Sequence, residues 1–85
     1  MYQIVYAKQA EKVLSRLPRN VAGQILGKLD MLAHNPFAPN NNVTALQGRE
    51  GYRLRVGDWR VIYEVENDVL RIFVLRIAPR GEVYR

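Results

Sequence analysis

Two hairpin signals in the C-terminal half constrain this chain more than any other feature. Gly57-Asp58 and Asn67-Asp68 separate three runs rich in β-branched and aromatic residues, Tyr52–Val56, Trp59–Glu66 and Val69–Ile77. Two-residue turns of this composition set the register of the strands they join. With Gly57-Asp58 as the loop, Val56 faces Trp59, Arg55 faces Arg60, Leu54 faces Val61, Arg53 faces Ile62 and Tyr52 faces Tyr63. Side chains alternate between the two faces of a strand. Tyr52, Leu54, Val56, Trp59, Val61, Tyr63 and Val65 therefore share one face, and Asn67-Asp68 as the second loop adds Leu70, Ile72 and Val74. That face is the expected core. Pro79 cannot donate to a ladder, so the third strand ends near it.

The N-terminal half supplies what covers that face. Residues 2–6 read as a short strand. Ala7, Ala10, Val13, Leu14 and Leu17 then form the apolar stripe of a helix, which Pro18 ends. Val21, Ile25, Leu29 and Leu32, with Leu26 and Ala33 beside them, define a second helix from Arg19 to His34, stopped by Asn35-Pro36. So short a joint makes the two helices an antiparallel hairpin. Residues 36–50, with Pro36, Pro39, three consecutive asparagines and Gly48, read as a crossing loop. The expected fold is a small α+β domain, β-α-α-β-β-β, an antiparallel sheet with the helical hairpin packed on one face.

At 85 residues, with 48% hydrophobic and 25% charged residues, the chain is expected to form one globular domain over 1–85. It has no cysteine, which excludes disulfides, thiolate metal sites and cysteine nucleophiles. With a single histidine, His34, no metal cluster is visible and no cofactor is expected. His34 ends the second helix, where a cation suits the helix dipole, so it reads as a capping or surface residue. No apolar run approaches the ~20 residues of a membrane span. Glu11 and Lys12 interrupt any leader-like segment, and a cytoplasmic protein is expected.

Charge gives the first functional direction. Thirteen Lys and Arg against eight Asp and Glu leave a net +5. Lysine occurs only at Lys8, Lys12 and Lys28, and eight of the ten arginines lie from Arg49 onward. Arginine presents a planar donor fork that grips phosphate bidentately, as lysine cannot. The hairpin register places Arg53, Arg55 and Arg60 together on the face opposite the core, with Arg55 directly across from Arg60. Like charges so placed are destabilising. Glu64 is the obvious carboxylate, yet the register pairs it with Arg71. An arginine trio held on an ordered sheet face indicates an anion site. Ile62, Phe73, Leu75 and Ile77 fall on the same face and suggest a binding surface unless another element covers them. Beyond Pro79, the third strand delivers Arg80 and Tyr84 close to the Gly57-Asp58 turn.

The run Tyr52-Arg53-Leu54-Arg55-Val56-Gly57-Asp58-Trp59-Arg60-Val61-Ile62-Tyr63-Glu64 and the closing Arg80-Gly81-Glu82-Val83-Tyr84-Arg85 resemble the RelE/ParE toxin superfamily. The resemblance extends over the whole chain, including the proline-bounded helix pair and the asparagine-rich loop before Leu46. It implies a toxin of a toxin–antitoxin pair. RelE-like members are ribosome-dependent endoribonucleases (mRNA interferases) that cut the messenger in the A site and so inhibit translation; ParE-like members share the fold but poison DNA gyrase. Residue by residue, Arg53 and Arg55 match basic RNA-binding positions, Arg60 the arginine after the hairpin turn, Arg80 the basic residue of the C-terminal motif and Tyr84 its tyrosine. Pro79 departs from the pattern, standing where many members carry histidine.

The reaction the resemblance implies is metal-independent attack of a 2′-hydroxyl on the adjacent phosphate. Arg53 and Arg55 would clamp the RNA with Arg60, Arg80 would stabilise transition-state charge, and Tyr84 would orient the substrate or act as base. The alternatives are a gyrase poison without nuclease activity and an inactive module that binds only its antitoxin. The implied partners are a cognate acidic antitoxin, the ribosome and mRNA, with no membrane, and DNA reached only through the antitoxin.

Overall fold

The computed structural model describes residues 1–82. Seven elements follow in chain order: β1 (Gln3–Tyr6), α1 (Lys8–Arg16), α2 (Arg19–His34), β2 (Val43–Ala45), β3 (Tyr52–Val56), β4 (Trp59–Glu66) and β5 (Arg71–Pro79). The five strands form one sheet in the order β1-β5-β4-β3-β2.

Both helix ends are set by proline. Leu17, before Pro18, is extended at φ −74° and ψ 151°, as steric conflict with the following ring requires, and α1 stops there. Asn35, before Pro36, does the same for α2 at φ −155° and ψ 92°. The second helix thus runs from Arg19 to His34 as its periodicity predicts. Ala10 of α1 and Ile25, Leu29, Leu32 and Ala33 of α2 are buried against Leu54, Val56, Val61, Tyr63, Ile72 and Val74. Tyr52, Trp59 and Val65 pack half-buried at the border of this core, so the expected core face of β3 and β4 is the observed one. Leu26 points outward at 44% exposure.

The helices lie on one face of the sheet, but the sheet is mixed and not wholly antiparallel. β1 runs parallel to β5, from Gln3 opposite Arg71 to Tyr6 opposite Val74. Alternation in a strand reports its two faces and says nothing about its neighbour, so this pairing has no local signal. Where β1 ends, Gln9 continues the ladder with its side chain: its Nε2 donates to Ile77 O at 2.9 Å, and its Oε1 accepts from Ile77 N at 3.0 Å. The loop read over 36–50 also contains β2, antiparallel to β3 with Thr44 opposite Arg53. Three residues are too few to show a period.

The first hairpin has the expected register throughout, including Arg55 opposite Arg60. Gly57 takes the positive φ of 57° that the first position of such a turn needs. The second hairpin differs. Its turn spans four residues, 67–70, with Leu70 at φ 51°, and the strands close on Glu66 opposite Arg71. Glu66 therefore takes the place expected for Glu64, its Oε1 standing 3.1 Å from Arg71 Nε, while Glu64 lies opposite Phe73. Val69 and Leu70 are each 52% exposed, outside the core expected for Leu70.

A bulge between Ile62 and Tyr63 then shifts the register again: Tyr63 faces Val74, but Ile62 faces Arg76. The extra residue turns Ile77 into the main core, where it is fully buried. On the opposite face Ile62 and Ala78 are buried against Leu46 and Leu75. The apolar surface expected there is thus largely accounted for within the chain, since Leu46 from the segment after β2 covers Ile62. Gly51 is a position where only glycine fits. Its φ is +112°, and a Cβ there would stand 2.9 Å from the Tyr63 carbonyl oxygen.

Among the described residues, no helix is long and apolar enough to cross a membrane.

Candidate nucleic-acid interface

The tip of the β3–β4 hairpin and the end of β5 meet at one corner of the sheet. Arg80 N donates to Asp58 O at 2.7 Å, which ties the segment after β5 to the hairpin turn. Four expected site residues converge as a result. Arg53 and Arg55 project from β3, Arg60 from β4, and Arg80 follows β5. Arg60 feels all the others: partial burial first, then the charges of Arg80, Arg53 and Arg55, hold its guanidinium below its usual pKa, with Asp58 opposing. A cation surrounded by cations favours whatever anion enters.

Arg55 and Arg60 are held by hydrogen bonds rather than free to wave. Arg60 Nη1 donates to Gly57 O and to Trp59 O, each at 2.9 Å. Arg55 Nη2 donates to Asn42 Oδ1 at 3.0 Å, and Arg55 N donates to Asn42 O at 2.8 Å. Asn42 is itself positioned by the turn before β2, its N–H donating to Asn40 Oδ1 at 2.9 Å. The asparagine run read as punctuation is therefore a support for the basic cluster.

Depressions flank the Arg55–Arg60 pair on two sides. The larger, about 710 Å³, has Asn42, Arg55, Asp58, Arg60 and Arg80 on the sheet side and residues of α2 on the other. The smaller, about 180 Å³, lies between Arg53, Arg55, Arg60 and the Asn41–Thr44 segment. Arg55 and Arg60 border both. Arg53 sits over the smaller one, and Arg80 over the larger.

Tyr84 lies outside the described residues. His34 is exposed at the last turn of α2, its Nδ1 2.9 Å from Asp30 O, in keeping with a capping or surface role. Pro79 is exposed and pairs with Trp59 at the end of β5. The sequence reading missed Asn42 and Lys28, which line the larger cleft. It also missed Arg76, which the bulge places opposite Ile62 and whose Nη2 donates to Glu82 O at 3.3 Å. The bulge that places Arg76 there has no local signature. The asparagine run was the only signal for Asn42.

A family model described as the ParE toxin of type II toxin–antitoxin systems matches residues 4–84. The chain belongs to the RelE/ParE toxin superfamily. Among solved structures it is similar to the toxin in the archaeal RelE–RelB complex from Pyrococcus horikoshii OT3, with 34% identity and a TM-score of 0.82, over 96% of this chain and 98% of that one. It is also similar to the isolated RelE toxin of Escherichia coli, at 25% identity and a TM-score of 0.80, over 99% and 92% of the two chains. A RelE-like toxin protein of Escherichia coli is 26% identical over 85 residues, covering 98% of this chain and 90% of its own. The mixed sheet with its helical pair is thus the superfamily's fold, and the chain is a toxin of the toxin–antitoxin class.

Proposed function

We propose that this toxin is a ribosome-dependent endoribonuclease that cuts mRNA in the ribosomal A site and so stops translation. The observation that carries the reading is the convergence of Arg53, Arg55, Arg60 and Arg80 on one hairpin tip, with each arginine's charge acting on Arg60. The likeness to RelE structures supports it.

The chemistry follows from what arginine can and cannot do. In the proposed step a 2′-hydroxyl oxygen bonds to the adjacent phosphorus and the bond from phosphorus to the 5′ oxygen breaks. A 2′,3′-cyclic phosphate and a 5′-hydroxyl result. One proton leaves the nucleophile and one joins the leaving oxygen, and the proposed step is metal-independent. Negative charge builds on the phosphoryl oxygens in between, and fixed cations at that point lower the barrier. Arg53 and Arg55 clamp the strand, while Arg60 and Arg80 face the reacting phosphate. Arginine's pKa above ~12 makes it a poor proton carrier. Tyr84 takes that task or orients the base by stacking.

The toxin's partner is an acidic antitoxin that covers the basic corner, a reading supported by the solution of related toxins as RelE–RelB complexes. Contact with DNA goes through that antitoxin.

The matched family model bears the ParE name, which favours a second reading, a gyrase poison without nuclease activity. Primer extension on a defined mRNA in a purified translation system, with and without ribosomes, separates the two. Stops within A-site codons that require ribosomes are expected. Unaffected translation together with inhibited DNA supercoiling would replace the interferase with the gyrase poison. Tyr84→Phe cleaving at the wild-type rate would remove the base role from that residue.

A further inference from the structure

The arginine-lined cleft has a second wall that the reaction above leaves unused. It is the outer side of α2, where Gly23, Gly27, Lys28 and Met31 face the cleft opposite Arg55, Arg60 and Arg80. Two glycines inside a helix oppose helix formation, so a packing reason would be expected for them. None is present among the described residues: a Cβ added at Gly23 or at Gly27 would meet none of their atoms within 4 Å. Among the described residues nothing uses the missing side chains, which leaves them to serve something that enters the cleft. Beside them Lys28 adds a cation to that wall.

The chemistry of the lining selects the occupant. Among the described residues its charged side chains are Lys28, Arg55, Arg60 and Arg80 against the carboxylate of Asp58. A volume of about 710 Å³ lies in the range that encloses a ligand of drug size. That suits one or two nucleotides of a single strand. We propose that α2 is the second wall of the RNA groove, with Lys28 contacting a phosphate of the mRNA strand across from Arg60, over a floor that Gly23 and Gly27 leave open. This inference rests on the interferase reading.

The test uses the whole toxin on ribosomes programmed with a defined mRNA, with Arg60→Ala as the impaired reference. Lys28→Ala is expected to raise the half-saturating ribosome concentration about tenfold at nearly unchanged maximal rate, as loss of one charge-assisted phosphate contact does. Lys28→Arg restores it. Gly27→Leu fills the floor and is expected to slow cleavage at least ~10-fold while raising the melting temperature, a combination that follows from better helix propensity and that damage to the fold would not produce. Because the chain has no cysteine, Lys28→Cys carries a photo-crosslinker at one site, and its adducts are expected on the A-site codon of the mRNA. Wild-type cleavage by both Lys28→Ala and Gly27→Leu, or adducts on ribosomal RNA alone, would overturn the second wall and leave the interferase standing. A folded wild-type toxin that cuts nothing would overturn the interferase and the Lys28 assignment with it.

Discussion

Arg55 and Arg60 face each other beside the β3–β4 turn, and the site built on them should cost the fold stability. In water two unit charges ~5 Å apart repel by about 0.8 kcal/mol, and several-fold more at a protein-like dielectric. Cross-strand pairs measured in sheets span roughly 0.2–1 kcal/mol. Arg55 is exposed and Arg60 half-buried, so solvent holds the value near the middle of that range, about 0.5 kcal/mol. Arg53 and Arg80 act on Arg60 in the same direction. Arg60→Gln removes all three repulsions and gives up the Nη1 bonds to Gly57 O and Trp59 O, which water can replace at this corner. For 85 residues the unfolding entropy is about 180 cal/mol/K, so the roughly 0.5 kcal/mol of the Arg55 pair alone corresponds to a rise of ~3 °C in melting temperature, and the other two arginines add to it. The diagnostic is the salt response followed by circular dichroism. Raising KCl from ~0.05 to ~0.5 M shortens the screening length from roughly 14 to roughly 4 Å. Wild-type protein should gain stability over that interval, and Arg60→Gln should gain distinctly less. Equal salt responses, with a lower melting temperature for the variant, would show that the corner carries no electrostatic strain and that Arg60 is a structural residue.

Other consequences follow from the core and the turns. Tyr63 is fully buried, and its hydroxyl has no hydrogen-bond partner among the described residues, so Tyr63→Phe should match or exceed wild-type stability, by up to ~1 kcal/mol in urea titrations. Burial, and to a lesser extent Tyr52, pushes the Tyr63 phenol up, which makes full stability present below about pH 10 and progressively lost above it, where only the unfolded chain readily releases the proton. That alkaline loss should be shallower in Tyr63→Phe, with a remainder from Tyr6, whose phenol burial also raises. Gly51→Ala should destabilise by about 2–3 kcal/mol in the same titrations, because a Cβ at φ +112° meets the Tyr63 carbonyl oxygen. Gly23→Ala and Gly27→Ala should each stabilise by up to ~1 kcal/mol, since α2 offers open space at both positions. A fall in stability for either would show that its glycine serves the fold.

What the sequence determined by itself was local. Prolines at 18 and 36 bounded α2, because the residue before each is forced out of helical conformation. Gly57-Asp58 set the β3–β4 register, and with it the core face and the opposition of Arg55 and Arg60. Those two elements made most of the core and three of the site's four described arginines legible. Tertiary structure decided what depends on distant partners. β1 chose β5 and ran parallel to it, a pairing worth nothing until both strands exist. The bulge in β5 moved Ile77 into the core and Arg76 to the other face, whereas the four-residue turn slid the register by two and left the faces as expected. Asn42 reached Arg55 only because β2 added to the sheet edge. The cleft exists because α2, packed through Ile25 and Leu29, leaves its glycine-bearing side facing the hairpin tip. Short-range spacing encodes each strand's faces and each helix's stripe. Which two surfaces end up confronting each other across a cleft is settled only when the core closes between them.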